Sequence, residues 1–222
     1  MPDLLGHVAA GSDGPDKRRG REGISARSDQ GRNMKSKVKE SIICAGFGGQ
    51  GIMTLGKVLA QAGMMIGLNV TWMPSYGAEV RGGTAHSMVK ISSDPIGSPL
   101  VTEADTAVIM NAPSLEKFEA RVRKGGLVIL NESMCSGDVK APGIDAVKAP
   151  LTDEAIALGN VRVANMIAAG IFASRKGLFG KEVLIEVVKI LGAGRKQIIP
   201  VNIKAVEKGF QIDSSLAGSV KG

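Results

Sequence analysis

The chain has 222 residues, 44% apolar and 22% charged, which suffices for one packed domain with or without a tail. Aromatic residues make up only 3%, too few for a base-stacking nucleic-acid platform, and the net charge of +7 is spread along the sequence rather than gathered into a stripe. Two cysteines, Cys44 and Cys135, exclude a disulfide framework and a four-cysteine iron–sulfur site, and His7 and His86 offer no zinc spacing.

Residues 1–33 are rich in Gly, Ser, Asp and Arg and hold little to bury, so they are expected to be a disordered tail or to follow a misplaced start, with the functional chain opening near Met34. Arg18-Arg19 lacks the apolar stretch of an export signal. No apolar run reaches the roughly 18–20 residues of a membrane span. Ala164–Ala173 comes nearest and reads as a buried helix, so a cytoplasmic protein is expected.

From Ser41 onward, short apolar runs alternate with amphipathic ones. Ser41–Ala45 predicts a buried strand, and Gln50–Met65 a helix that Gly67 stops. Asn69–Met73 predicts a strand closed by Pro74, His86–Ile91 a third and Thr106–Met110 a fourth. Ser114 is the expected cap of a helix carrying Leu115, Phe118 and Val122. Leu127–Leu130 and Ile144–Ala149 complete six strands. Thr152 is the expected cap of a short helix, and Val161–Arg175, Lys181–Leu191 and a segment from Pro200 or Val201 to Phe210 predict three more. The alternation implies an α/β fold around a largely parallel sheet, followed by a flexible C-terminus of small, polar residues over 213–222.

Two motifs carry chemistry. Gly46-Phe47-Gly48-Gly49-Gln50-Gly51 follows a strand and opens a helix, so bare backbone N–H groups and a helix N-terminus face the same anion. The spacing matches GxGxxG, but the acid that a dinucleotide site needs at the end of the second strand is missing there; the first is Glu79. A classical nicotinamide site, a ligand-free tight turn, and a different anionic ligand or subunit contact stay open, the last being preferred. The second motif, Trp72-Met73-Pro74-Ser75-Tyr76-Gly77-Ala78-Glu79-Val80-Arg81-Gly82-Gly83-Thr84-Ala85, leaves a strand end with an acid, an arginine and three glycines. Both loops are expected at one sheet edge, where open α/β sheets bind ligands. His86 lacks a nucleophile partner and reads as a strand-surface residue, and Asp153-Glu154 fits the first turn of a helix. No self-contained catalytic set emerges, which suits a subunit or a non-catalytic nucleotide-binding or interaction module.

The two loops in this order, with Ser93-Asp94-Pro95-Ile96-Gly97-Ser98-Pro99 and Pro200-Val201-Asn202, resemble the gamma subunit of 2-oxoacid:ferredoxin oxidoreductases over about Ser41–Gln211. The wording Pro74–Thr84 is most similar to the 2-oxoglutarate branch, with the 2-oxoisovalerate and pyruvate branches near. The resemblance implies a Rossmann-like open sheet over residues 34–212, inactive alone, in an enzyme that decarboxylates a 2-oxoacid to an acyl-coenzyme A and reduces ferredoxin. It implies alpha and beta partner subunits, a ferredoxin-like delta subunit where the enzyme has one, and no nucleic-acid or membrane partner. Thiamine diphosphate, Mg2+ and iron–sulfur clusters would sit on the partner chains, with no metal on this one and coenzyme A as co-substrate. Candidate ligand-binding residues are Gly46, Gly48, Gly49, Gln50, Gly51, Ser75, Tyr76, Glu79, Arg81, Gly82 and Gly83, with no catalytic residue assigned.

Overall fold

A computed structural model describes residues 37–75 and 84–219. The expected tail over residues 1–33 lies outside them. Six strands form one sheet: β1 (Lys39–Phe47), β2 (Asn69–Ser75), β3 (Thr84–Ser92), β4 (Ala104–Ile109), β5 (Val122–Asn131) and β6 (Asp145–Ala149), in the order β2-β3-β1-β4-β5-β6. β1, β4, β5 and β6 pair in parallel, while β3 runs antiparallel to both β1 and β2. Five strands therefore point the same way, as the largely parallel expectation has it. The exception follows from chain length, because the segment from Ser75 to Thr84 is too short to hold a crossover helix.

The helices are α1 (Ile52–Met65), α2 (Ala112–Phe118), α3 (Leu151–Ala157), α4 (Ala164–Lys176), α5 (Lys181–Leu191) and α6 (Ile199–Ser219). The larger core layer joins Ile42, Cys44, Val108 and Ile129 of the sheet to apolar residues of α1, α3, α4, α5 and α6. The smaller layer, on the other face, holds Ile43, Ala45, Ile109, Val128 and Leu130 against Leu115 and Phe118 of α2. Strands covered on both faces explain the near-continuous apolar runs in the sequence. α4 is buried from Ala164 to Ala173, as its composition requires, because it lies within the larger layer and crosses α6. At that crossing Gly170 meets Gly209 closely: a Cβ on Gly170 would strike the Val206 carbonyl oxygen and stand 3.0 Å from Gly209 Cα. None of the helices in the described residues is long and apolar enough to cross a membrane.

Several local expectations are corrected. Pro74 and Ser75 continue β2, which the sheet tolerates because β2 is an edge strand. Asn111, not Ser114, caps α2: its side chain accepts from Ser114 N at 2.9 Å, and Pro113 fits only the first turn of a helix. Val122 opens β5 rather than extending α2. Thr152 lies inside α3, which has Pro150 at its N-cap and no side-chain cap of its own. α6 starts at Ile199 and continues to Ser219, so residues 213–219 of the expected flexible C-terminus are helical, with Asp213 buried and paired to Arg175.

Candidate functional site

The carboxyl ends of β1, β2, β4, β5 and β6 share one sheet edge, and the β1–α1 loop stands at its centre. The sheet order changes direction here: α1 leads from β1 toward β2 on one side, while β4 joins β1 on the other. Ligands of open α/β sheets bind at such a crevice.

The loop is held from within. Phe47 N donates to Gln50 Oε1 at 2.6 Å, Gln50 N donates back to the Phe47 carbonyl at 3.2 Å, and Gln50 Nε2 reaches across the crevice to the Met110 carbonyl at 3.1 Å. Asn131 Nδ2 also donates to Met110 O, at 3.3 Å, and to Thr152 Oγ1 at 2.8 Å, while Thr152 N donates to Asn131 Oδ1 at 3.2 Å. Asn131 on β5 thereby supplies the cap that α3 lacks. From α4, Asn165 Nδ2 donates to the Gly51 carbonyl at 3.0 Å. Gln50 was expected to bind ligand and its side chain instead braces the loop, while Asn131, Asn165 and the cap Asn111 were not singled out in the sequence. A polar residue directly after each of two apolar strand runs was the available signal.

The glycines differ in what they answer to. A Cβ on Gly46 would stand 2.8 Å from both Met110 Cβ and Ile52 Cδ1, so close packing between β1 and β4 demands its absence. Gly51 has φ +73° and backs directly onto the Asn165 amide, so both conformation and packing require glycine. Gly48 has no positive φ, and nothing stands within 4 Å of where its Cβ would be. Nothing inside the described chain requires glycine there, and the space beside it is open.

The N-terminus of α1 is uncapped by any side chain and has no acid in its first turn. Gly48, Gly49 and Gly51 donate their N–H groups to nothing among the described residues. Free N–H groups at the positive end of a fourteen-residue helix favour an oxyanion.

Ser75 ends β2 at the same sheet edge, but β3 lies between it and β1. Two strand spacings amount to ~10 Å, so the position where a dinucleotide-binding sheet holds its ribose-reading acid is not beside this glycine loop. Tyr76, Glu79, Arg81, Gly82 and Gly83 lie outside the described residues. His86, expected on the strand surface, is half-buried on β3, with its ring 5.0 Å from that of Phe118. Burial, then Lys117 and Arg121, push its pKa below the usual 6.5.

Burial pushes the Cys44 thiol up to about 12 and the Cys135 thiol up to about 11, so both are poor thiolate ligands and poor nucleophiles. The described residues contain no cluster of three His, Cys, Asp or Glu side chains that could hold a metal ion. Among the described residues the site has anion-binding geometry without a nucleophile, base or metal-ligand set.

Known proteins share this architecture. The gamma subunit of a keto/oxoacid ferredoxin oxidoreductase from Geobacter sulfurreducens superposes with a TM-score of 0.68 at 25% identity, covering 79% of this chain and 99% of that one. A 2-oxoglutarate:ferredoxin oxidoreductase from Magnetococcus marinus, solved with 2-oxoglutarate, coenzyme A and succinyl-CoA bound, superposes with a TM-score of 0.71 at 25% identity, covering 80% of this chain and 31% of that one. The ketoisovalerate oxidoreductase subunit VorA of Methanothermobacter thermautotrophicus is 38% identical over 172 residues, which are 75% of this chain. The chain spans about a third (35%) of that relative's length. Residues 41–212 match the family described as pyruvate ferredoxin/flavodoxin oxidoreductase, and the chain belongs to that family.

Proposed function

We propose that this chain is the gamma subunit of a 2-oxoacid:ferredoxin oxidoreductase, working with alpha- and beta-type partners, and that its β1–α1 loop binds coenzyme A. The enzyme releases the carboxyl group of a 2-oxoacid as carbon dioxide, joins the acyl group to the coenzyme A sulfur and passes the electron pair to ferredoxin. Thiamine diphosphate supplies the carbanion chemistry when bound, and it belongs to the partner chains together with Mg2+ and the iron–sulfur clusters. The wording of Pro74–Thr84 supports 2-oxoglutarate as substrate, and the VorA relative makes 2-oxoisovalerate the comparison to run beside it.

This chain's share is binding and orientation. The amides of Gly48, Gly49 and Gly51 and the open end of α1 would hold a phosphate of coenzyme A. Gln50 spends its side chain bracing the loop across the crevice to Met110, which keeps those amides aimed. Ser75 and Tyr76 would line the approach, with Glu79, Gly82 and Gly83 in the same loop and Arg81 adding positive charge.

The observation that carries the coenzyme A assignment is Gly48, a glycine with open space beside it and no demand from the fold. Gly48→Ala in the assembled enzyme should raise the KM for coenzyme A roughly tenfold, as a methyl group placed in a ligand contact does. The kcat at saturating coenzyme A and the subunit assembly should be retained. An unchanged KM removes the loop from coenzyme A binding and leaves an interaction role. Supplying 2-oxoglutarate and 2-oxoisovalerate separately to the same preparation settles the substrate, and a higher kcat/KM for 2-oxoisovalerate would overturn the 2-oxoglutarate assignment.

A further inference from the structure

We propose that His86, Lys117 and Arg121 form a second oxyanion subsite, for a phosphate group, on the α2 face of the sheet. It is separate from the amides of the glycine loop and does not depend on them.

Thr84, His86 and Met88 alternate along β3, and Met88 belongs to the smaller core layer, so all three face α2. Phe118 of α2 packs on the imidazole, and the same ring has Lys117 Nζ and the Arg121 guanidinium carbon each 5.6 Å from its centroid. Lys117 Nζ also lies 3.3 Å from Thr84 Oγ1. Thr84 pairs with Phe47, so the cluster stands at the same end of the sheet as the glycine loop.

Among the described residues the two cations lack the carboxylate partners that such neighbours ordinarily have. Like charges four positions apart on a helical turn repel. Neither Lys117 nor Arg121 forms an ion pair among the described residues. Glu119, the acid between them, is turned away and accepts from the backbone N–H groups of Lys140 and Ala141. Arg121 uses Nε on the Thr102 carbonyl at 3.3 Å and one Nη2 hydrogen on the Val101 carbonyl, which leaves three of a guanidinium's five donors. Lys117 keeps two of an ammonium's three.

The imidazole also has an unpartnered nitrogen. Its Nδ1 is enclosed and has no partner among the described residues, so only Nε2 is left for an outside group. Lys117 and Arg121 are the only charged groups of the described chain that act on it. Burial first, and then these two cations, lower its pKa, and a neutral ring protonated on Nε2 would present a donor there. Three unsatisfied donor groups, two of them cationic, match the several oxygens and double charge of a phosphate better than a planar carboxylate monoanion.

The test uses the full chain with His7→Gln, so that His86 is the one remaining imidazole, and follows its ring signals by NMR against pH. Inorganic phosphate, coenzyme A and pantetheine are the probes. A bound oxyanion favours the imidazolium, so phosphate or coenzyme A should raise the His86 midpoint saturably by about one pH unit. Lys117→Ala, an exposed substitution, should abolish that displacement. A response to coenzyme A alone assigns the subsite to the coenzyme, and a response to phosphate alone assigns it to the free ion. The proposal is overturned if neither probe acts saturably, if pantetheine or chloride at equal ionic strength acts as well, or if the response survives Lys117→Ala. Gly48→Ala, run in parallel, leaves this subsite intact, so loss of the loop's role and loss of the subsite read out separately.

Discussion

Gly48 and Gly51 stand three positions apart in one loop and answer to different demands. The GxGxxG spacing was legible in the sequence, but not which glycine served the fold and which left a space. That distinction depends on Asn165, Met110 and Ile52, which the fold brings in from α4, the end of β4 and α1. Gly51→Ala should cost roughly 1–2 kcal/mol from the left-handed backbone alone, and more from the collision with Asn165, whereas Gly48→Ala should leave chemical unfolding unchanged. Equal losses in the two variants would remove the argument that Gly48 is free of the fold. At the opposite end of the sheet Glu40 is 7% exposed, accepts from Thr106 Oγ1 at 2.6 Å and pairs with Lys176 at 2.9 Å. Burial raises its pKa above the ordinary 4.5 by more than Thr106 and Lys176 lower it. With the folded value above the unfolded one, the contribution of Glu40 to stability is fully present below about pH 4.5 and is lost as pH rises through the folded value. Glu40→Gln should therefore gain on the native chain as pH rises from acid toward neutral. A stability difference independent of pH in urea unfolding would sink this reading.

Elements were more legible than the joints between them. Apolar periodicity placed all six strands and the stripe of α5, because burial on one face or two imposes it directly. Caps were misread where a nearer hydroxyl competed with an amide: Ser114 and Thr152 were each expected to cap, and Asn111 and Asn131 do so. For α2 the correction was available, since Pro113 fixes the first turn and puts the cap before it. For α3 it was not, because Asn131 lies twenty-one residues away on another element. The antiparallel direction of β3 was open to the length argument, but its position between β1 and β2 was not, because periodicity says nothing of strand order. The crossing of α4 and α6 gives the sharpest element-scale test. A Cβ on Gly170 would meet backbone atoms, which cannot turn aside as a side chain can. Gly170→Ala should destabilise the chain by about 3 kcal/mol, read as a lower urea midpoint at unchanged slope. A loss below about 0.5 kcal/mol, the size of an ordinary surface change, would mean that the helices separate freely there.

Across the whole molecule, one end of the sheet is built for stability and the other for contact. The amino ends of β1, β4, β5 and β6 carry the charged network of Glu40 with Lys176, Asp105 with Arg123, and Arg175 with both Asp145 and Asp213. The carboxyl ends carry the open helix terminus and the glycine loop. Among the described residues, every residue that is both apolar and buried lies between Ile42 and Val206, and the larger unit of the chain spans Ser36–Gly222. The most distal polar ties of β1, Val38 N to Ser93 Oγ at 2.9 Å and Lys37 to Asp94 at 3.2 Å, fall within that larger unit. A chain beginning at Met34 keeps all of these groups, so its thermal unfolding should be one cooperative transition with the midpoint of the full chain. It should also assemble with the proposed partner subunits to the same extent, because the described core and the described part of the site edge are built from residues after Met34. A midpoint lower by ~5 °C, which corresponds to about 1–2 kcal/mol for a domain of this size, would show that residues before Met34 contribute to the packed unit.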